Sequence, residues 1–86
     1  MNINQLVEIV KNKLHNNIVC DNIEIQDKTF LHKSHASHDK NKFHIKLIIT
    51  SDYLKKKNKI QSTKEIYKIL EKELKYNVHS IKILIN

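Results

Sequence analysis

Six histidines stand among 86 residues, and three of them recur at every third position: His32, His35 and His38. Neutral imidazole is the commonest nitrogen ligand for zinc, copper, nickel and iron, so an H-x-x-H-x-x-H run first suggests metal binding. On a helix that spacing gives neighbouring histidines a shared face; in a loop only the tertiary fold can bring them together. A polar loop that is simply solvated is the competing reading of the same residues. His79 opens a β-rich segment, where it reads either as a ligand or as a hydrogen-bonded histidine at a strand end. His44, on the outer face of a strand, and His15, near a helix end, read as structural. Cys20 reads as a small half-buried thiol, because no cationic cluster marks it as a low-pKa nucleophile. The chain has no glycine and hence no phosphate-cradling loop, and its carboxylates are too scattered to form an acid–base couple. An enzyme is not expected.

The elements that must position these side chains follow from periodicity. Ile3, Leu6, Val7, Val10 and Leu14 recur at helical spacing over residues 2–16, with Asn2 or Asn4 as N-cap. Asn16-Asn17 reads as the stop, since Asn tolerates the left-handed conformation that glycine usually supplies. Ile23 and Ile25 alternate with Glu24 and Gln26 as a strand. Residues 28–41 have no period and read as a loop. Phe43, Ile45, Leu47 and Ile49 alternate through the clearest strand of the chain. Ser51-Asp52 ends that strand and caps a short turn around Tyr53 to Lys57. Ser62 and Glu65 stand at capping-box spacing ahead of a stripe of Ile66, Ile69, Leu70 and Leu74. Val78 to Ile85 is the last strand, with Ile81, Ile83 and Ile85 on one face.

The expected architecture is therefore α+β, in the order α-β-β-α-α-β. A three-stranded mixed sheet carries its helices on one face, in a single domain over residues 1–86. The first two strands, joined by a loop, should pair antiparallel. The second and third, joined by helices, should run parallel through a right-handed crossover. His79 then lies at the sheet end that carries the loop of His32, His35 and His38. The expected inward set is Ile23, Ile25, Phe43, Ile45, Leu47, Ile49, Ile81 and Ile83 from the strands. From the helices it is Leu6, Val7, Val10, Leu14, Ile66, Ile69, Leu70 and Leu74.

Composition restricts the function classes. The formal charge is +7, carried by lysine without any arginine. Abundant Lys, Asn and Ile fit an AT-rich coding sequence, and lysines spread over every segment specify no site. Without arginine there is no bidentate fork for guanine or phosphate, so only weak, non-specific nucleic-acid binding is expected. No apolar run approaches the about 20 residues that span a bilayer, so no membrane role is expected. The first 15 residues do not read as a signal peptide, which points to the cytoplasm, or to mitochondria if a presequence has been removed.

The stretch KFHIKLIITSDYL, and later KELKYNVHSIKI, resembles the BolA-like proteins. Members typically carry a Ser-His-Phe-Lys-Val-type second strand running into a Ser-Asp turn, a helix ending in Glu-Leu, and Val-His-Ala opening the last strand. Here Ser51-Asp52, Glu73-Leu74 and Val78-His79 keep that spacing without a gap. Leu54-Lys55-Lys56 stands where the family usually has Phe-x-Gly, and Ser62-Thr63-Lys64 where it has Arg-His-Arg. The resemblance implies a type II KH-like fold and a non-enzymatic partner of a monothiol glutaredoxin. Such a protein is a monomer alone and a heterodimer with its partner, sharing a bridged [2Fe–2S] cluster in iron–sulfur assembly, transfer or iron regulation. It implies His79 as one ligand and His32 or His35 as the loop ligand, with His38 the less favoured candidate; glutaredoxin and glutathione supply thiolates. Imidazole ligation raises a cluster's potential and leaves a protonatable ligand. Two other readings stay open: a KH-like nucleic-acid-binding regulator, though KH domains clamp RNA with a GxxG loop that this chain lacks, and a stand-alone metal-binding protein using the histidine loop.

Overall fold

A computed structural model describes residues 1–29 and 42–86. Helix α1 covers Ile3–Asn17, strand β1 Asn22–Asp27 and strand β2 Phe43–Thr50. Helices α2 (Asp52–Lys55), α3 (Lys59–Ile69) and α4 (Glu71–Tyr76) follow, and strand β3 (Val78–Ile85) is last. The sheet order is β1-β2-β3, with β1 antiparallel and β3 parallel to β2. That is the expected α+β arrangement, with the crossover helices joining β2 to β3.

Helix α1 starts where a reciprocal cap satisfies two otherwise orphaned donors. Asn2 Oδ1 accepts from the Gln5 N–H at 2.9 Å, and Gln5 Oε1 accepts from the Asn2 N–H at 2.9 Å. It ends differently from the expected left-handed asparagine stop. No described residue has a positive φ; the chain leaves the helix through extended Ile18, whose N–H still bonds the Leu14 carbonyl. Ile18 is buried and continues the apolar stripe, so burial rather than a left-handed turn directs the exit.

The expected capping box at Ser62 and Glu65 is also corrected. Helix α3 begins earlier, with Asn58 as the cap accepting from the Gln61 N–H at 2.8 Å. Ser62 thereby falls within the helix, fully buried, and its hydroxyl donates to the Leu54 carbonyl at 2.6 Å. A buried hydroxyl with a backbone acceptor at hand has no reason to serve as a cap. The stripe expected as one helix is divided at Leu70, whose φ of −97° and ψ of 16° separate α3 from α4.

The core lies between the helices and one face of the sheet. Leu6, Val10, Leu14, Ile23, Ile45, Leu47, Ile49, Ile66 and Leu70 are buried as expected. Ile25, Phe43, Ile69, Leu74, Ile81 and Ile83 pack partly buried against them. Val7 is the exception: it is half-exposed and outside this cluster. Ile18, Leu54 and Val78 complete the core instead. Ser51 ends β2 as expected, capping α2 through the Leu54 N–H and donating to the Val19 carbonyl.

Candidate functional site

The histidine that the strand pattern places least securely is His79. Ile81, Ile83 and Ile85 lean towards the core, so strict alternation would send His79 inward with them. The pairing is interrupted at that point. Phe43 stands opposite Val78, but the next residue, His44, stands opposite Ser80, so His79 is the extra residue of a β-bulge. Val78 fills the core, while His79 and Ser80 are both exposed. One inserted residue thus turns an imidazole from the core side to the outer face.

On that outer face His79 meets His44. Their ring centroids are 4.6 Å apart. His44 is only 5% exposed, and its Nδ1 is 2.7 Å from the Ser80 hydroxyl. The bulge therefore supplies both contacts: His79 against the ring and Ser80 against its nitrogen. His44 lies on the outer face, as the alternation of β2 predicts, but as a buried support of His79, a role its position in the sequence does not reveal. The only sequence signal for it is that parity; the cross-strand match to Ser80 depends on the bulge.

Both ends of the β1–β2 connection are fastened beside this pair. Where β1 ends, the Lys28 N–H donates to the His44 carbonyl at 2.7 Å and Thr29 Oγ1 accepts from the His44 N–H at 3.2 Å. Asp27 holds Thr29 in turn through its backbone N–H and hydroxyl. Where β2 begins, the Phe43 N–H donates to the Asn77 carbonyl at 2.9 Å, two residues before His79. The loop's attachment points and His79 therefore share one end of the sheet, as the parallel crossover requires. His32, His35 and His38 lie outside the described residues. Among the described residues no cluster of three or more His, Cys, Asp or Glu side chains could hold a metal ion.

A shallow depression of about 330 Å³ adjoins the pair, with Lys28, Lys46 and Lys82 around His44 and Ser80. Those ammonium groups give this end of the outer face a positive potential. At the other end of the sheet, Cys20 Sγ lies 3.4 Å from His15 Nδ1. Burial, helped by the neighbouring Asp21 carboxylate, pushes the Cys20 thiol up from its ordinary pKa. That agrees with its reading as a half-buried structural thiol, since a high pKa leaves little thiolate.

Glu73 and Leu74, the Glu-Leu pair of the sequence, have a structural explanation. Glu73 is buried in α4 and accepts two bonds from Lys13 Nζ of α1, at 2.9 and 2.8 Å. Leu74 packs against the core behind it. The pair pins α4, and with it the start of β3, to the first helix.

The family model of the BolA-like proteins matches residues 14–86, a span that holds the Ser-Asp turn, the Glu-Leu pair and the bulged histidine. The chain belongs to the BolA-like family. The BolA domain of SufE1 from Arabidopsis thaliana is similar over 100% of this chain and 93% of its own length, with 26% identity and a TM-score of 0.77. BolA1 from Arabidopsis thaliana has a TM-score of 0.76 at 22% identity, covering 92% of this chain and 87% of that one. The solution structure of BolA1 from Mus musculus has a TM-score of 0.71 at 18% identity, covering 90% and 60% respectively. No curated protein sequence matches significantly. BolA-like proteins are generally not enzymes. No helix among the described residues is long and apolar enough to cross a membrane.

Proposed function

We propose that this BolA-like protein is the non-enzymatic partner of a monothiol glutaredoxin, with which it shares a bridged [2Fe–2S] cluster. The observation that carries the reading is the bulge at His79, which presents an imidazole to solvent at the sheet end where the β1–β2 loop is attached. Such a cluster takes thiolate and imidazole ligands, and an exposed imidazole fits that donor set. His44, buried and engaged with Ser80, orients the ring of His79 instead of ligating. His32 or His35 supplies the second ligand from the loop, and His38 is the less favoured alternative. Lys28, Lys46 and Lys82 favour an incoming anionic assembly of thiolates and glutathione carboxylates. When bound, the cluster would supply a redox and transfer centre whose imidazole ligands can be released by protonation.

The test mixes the protein with a monothiol glutaredoxin, glutathione, ferrous iron and sulfide under anaerobic conditions, and records visible circular dichroism and size-exclusion profiles. A stable heterodimer with a spectrum unlike that of the glutaredoxin homodimer supports the reading. His79→Ala should abolish that spectrum and leave the far-ultraviolet spectrum unchanged. An unaltered glutaredoxin homodimer spectrum in the wild-type mixture would overturn it.

A further inference from the structure

Strand β3 is the last strand on one side of the sheet, and among the described residues nothing pairs along its outer edge. Asn86, just beyond it, donates its N–H to the Ile49 carbonyl at 2.9 Å and accepts from the Ser51 N–H at 3.0 Å. In a parallel ladder both backbone groups of a residue point to the same side, and successive residues alternate. Lys82 and Leu84 therefore bond to β2 along with Asn86. Ile81, Ile83 and Ile85 direct their N–H and C=O groups away from it, where no fourth strand follows among the described residues. Among the described residues nothing pairs with these groups. Natural edges are usually shortened, bulged or charged to prevent such pairing. The C-terminal half of β3 has none of these protections except Lys82.

A groove of about 250 Å³ runs beside that same half of the strand. Leu54, Ile83 and Ile85 give it an apolar floor, and Thr63, Lys55 and Lys59 stand along it. The third lysine there, Lys57, is already bonded to Glu65 and Tyr53. Lys55 and Lys59 are exposed and take part in no ion pair among the described residues. Free ladder groups, an apolar floor and uncompensated ammonium groups together define a preference for an extended polypeptide with carboxylate side chains. A single-stranded nucleic acid would need aromatic platforms for its bases, and among the described residues the groove has no aromatic lining. A second copy joined β3 to β3 would bring the lysine rims of both copies together.

We propose that the β3 edge is a docking site for an acidic extended peptide of a partner protein, which adds as a fourth strand along Ile81–Ile85 with its carboxylates against Lys55 and Lys59. The site begins at Ile81, two residues beyond His79, and reaches Ile85, about 20 Å from His79 at the rise of a strand; it does not depend on the cluster reading.

The probe is a capped octapeptide of alternating valine and glutamate, titrated into the full chain and followed by amide chemical shifts and hydrogen exchange. The expected result is slowed exchange at the Ile81, Ile83 and Ile85 amides at saturation. A peptide with lysine in place of glutamate should bind about tenfold more weakly at low salt, and the difference should shrink as salt screens it. Alternate N-methylation of the peptide should abolish the protection. The double variant Lys55→Glu/Lys59→Glu, exposed at both positions, should weaken the glutamate peptide by about tenfold while keeping the wild-type shift pattern elsewhere. Four outcomes would overturn the proposal: no protection of those three amides, equal affinity for the two peptides, tighter binding of an oligothymidylate at the same groove, or concentration-dependent protection without peptide. The last would assign the edge to a second copy of this chain.

Discussion

The imidazoles of His44 and His79 face one another on the outer side of the sheet, with ring centroids 4.6 Å apart and planes tilted by 46°. They come together because the pairing of β2 and β3 slips by one residue, so that Ser80 bonds His44 and His79 is left to lie tilted against it. His44→Phe keeps a ring under His79 but removes the bond to Ser80. It should lower stability in urea by about 0.5–1.5 kcal/mol, the net worth of one hydrogen bond. With glutaredoxin it should weaken the cluster spectrum without eliminating it. A loss as complete as that of His79→Ala would make His44 a ligand in its own right.

The loop histidines should be partly interchangeable. His32 and His35 are three positions apart on the connection whose ends are fastened beside His79. His32→Ala or His35→Ala alone should reduce cluster binding or shift its potential, and the double variant should match His79→Ala. Visible circular dichroism of the three reconstituted variants decides this. A double variant with the full spectrum would remove the loop from the site.

Glu73 should be costly to leave alone. The residue is 5% exposed, and its carboxylate takes both of its described hydrogen bonds from Lys13. Lys13→Met strands that charge and should cost about 1–3 kcal/mol, the penalty of a buried acceptor without its donor. Replacing both partners, Lys13→Met with Glu73→Leu, should recover much of that loss, because two apolar groups leave nothing unsatisfied. Urea unfolding of the two variants against wild type measures it. Equal stability of Lys13→Met and wild type would show that water replaces the lysine.

The ion pair between Lys57 and Glu65 should contribute at neutral pH and weaken at both extremes. The Lys57 hydrogen bond holds the Glu65 carboxyl below its ordinary value of 4.5, with the Tyr53 hydroxyl adding to it. A carboxyl depressed on folding stabilises above its unfolded value, and that contribution fades as pH falls through the lower folded value. The bonds to Glu65 and Tyr53 raise Lys57 above its ordinary 10.5. Its contribution is full below that value and is lost as pH rises through the higher folded one. The stability gap between wild type and Glu65→Gln should therefore shrink as pH falls below the ordinary value of 4.5 and on through the lower folded value, where the depressed carboxyl takes up its proton. Thermal unfolding across that range checks it; a constant gap would show that the pair acts through packing alone.

Much of this protein was legible without coordinates, because periodicity is a local property. The alternation from Phe43 to Ile49 states which face of β2 is buried, and the spacing of Leu6, Val10 and Leu14 states which face of α1 meets it. A strand–helix–strand order then requires a parallel crossover, which sets His79 at the loop end of the sheet. What the tertiary structure alone decided are matters of register and long-range contact. The bulge that exposes His79 is a property of how two strands pair, and nothing in the run Val78-His79-Ser80 announces it. The bond from His44 to Ser80 spans 36 positions and that from Lys13 to Glu73 spans 60, so neither leaves a local pattern. Ser62 shows the same limit: a residue suited to cap a helix was buried instead, because the Leu54 carbonyl lay within reach of its hydroxyl. Local chemistry proposes a role for each side chain, and packing selects among those roles according to which partners the fold brings close.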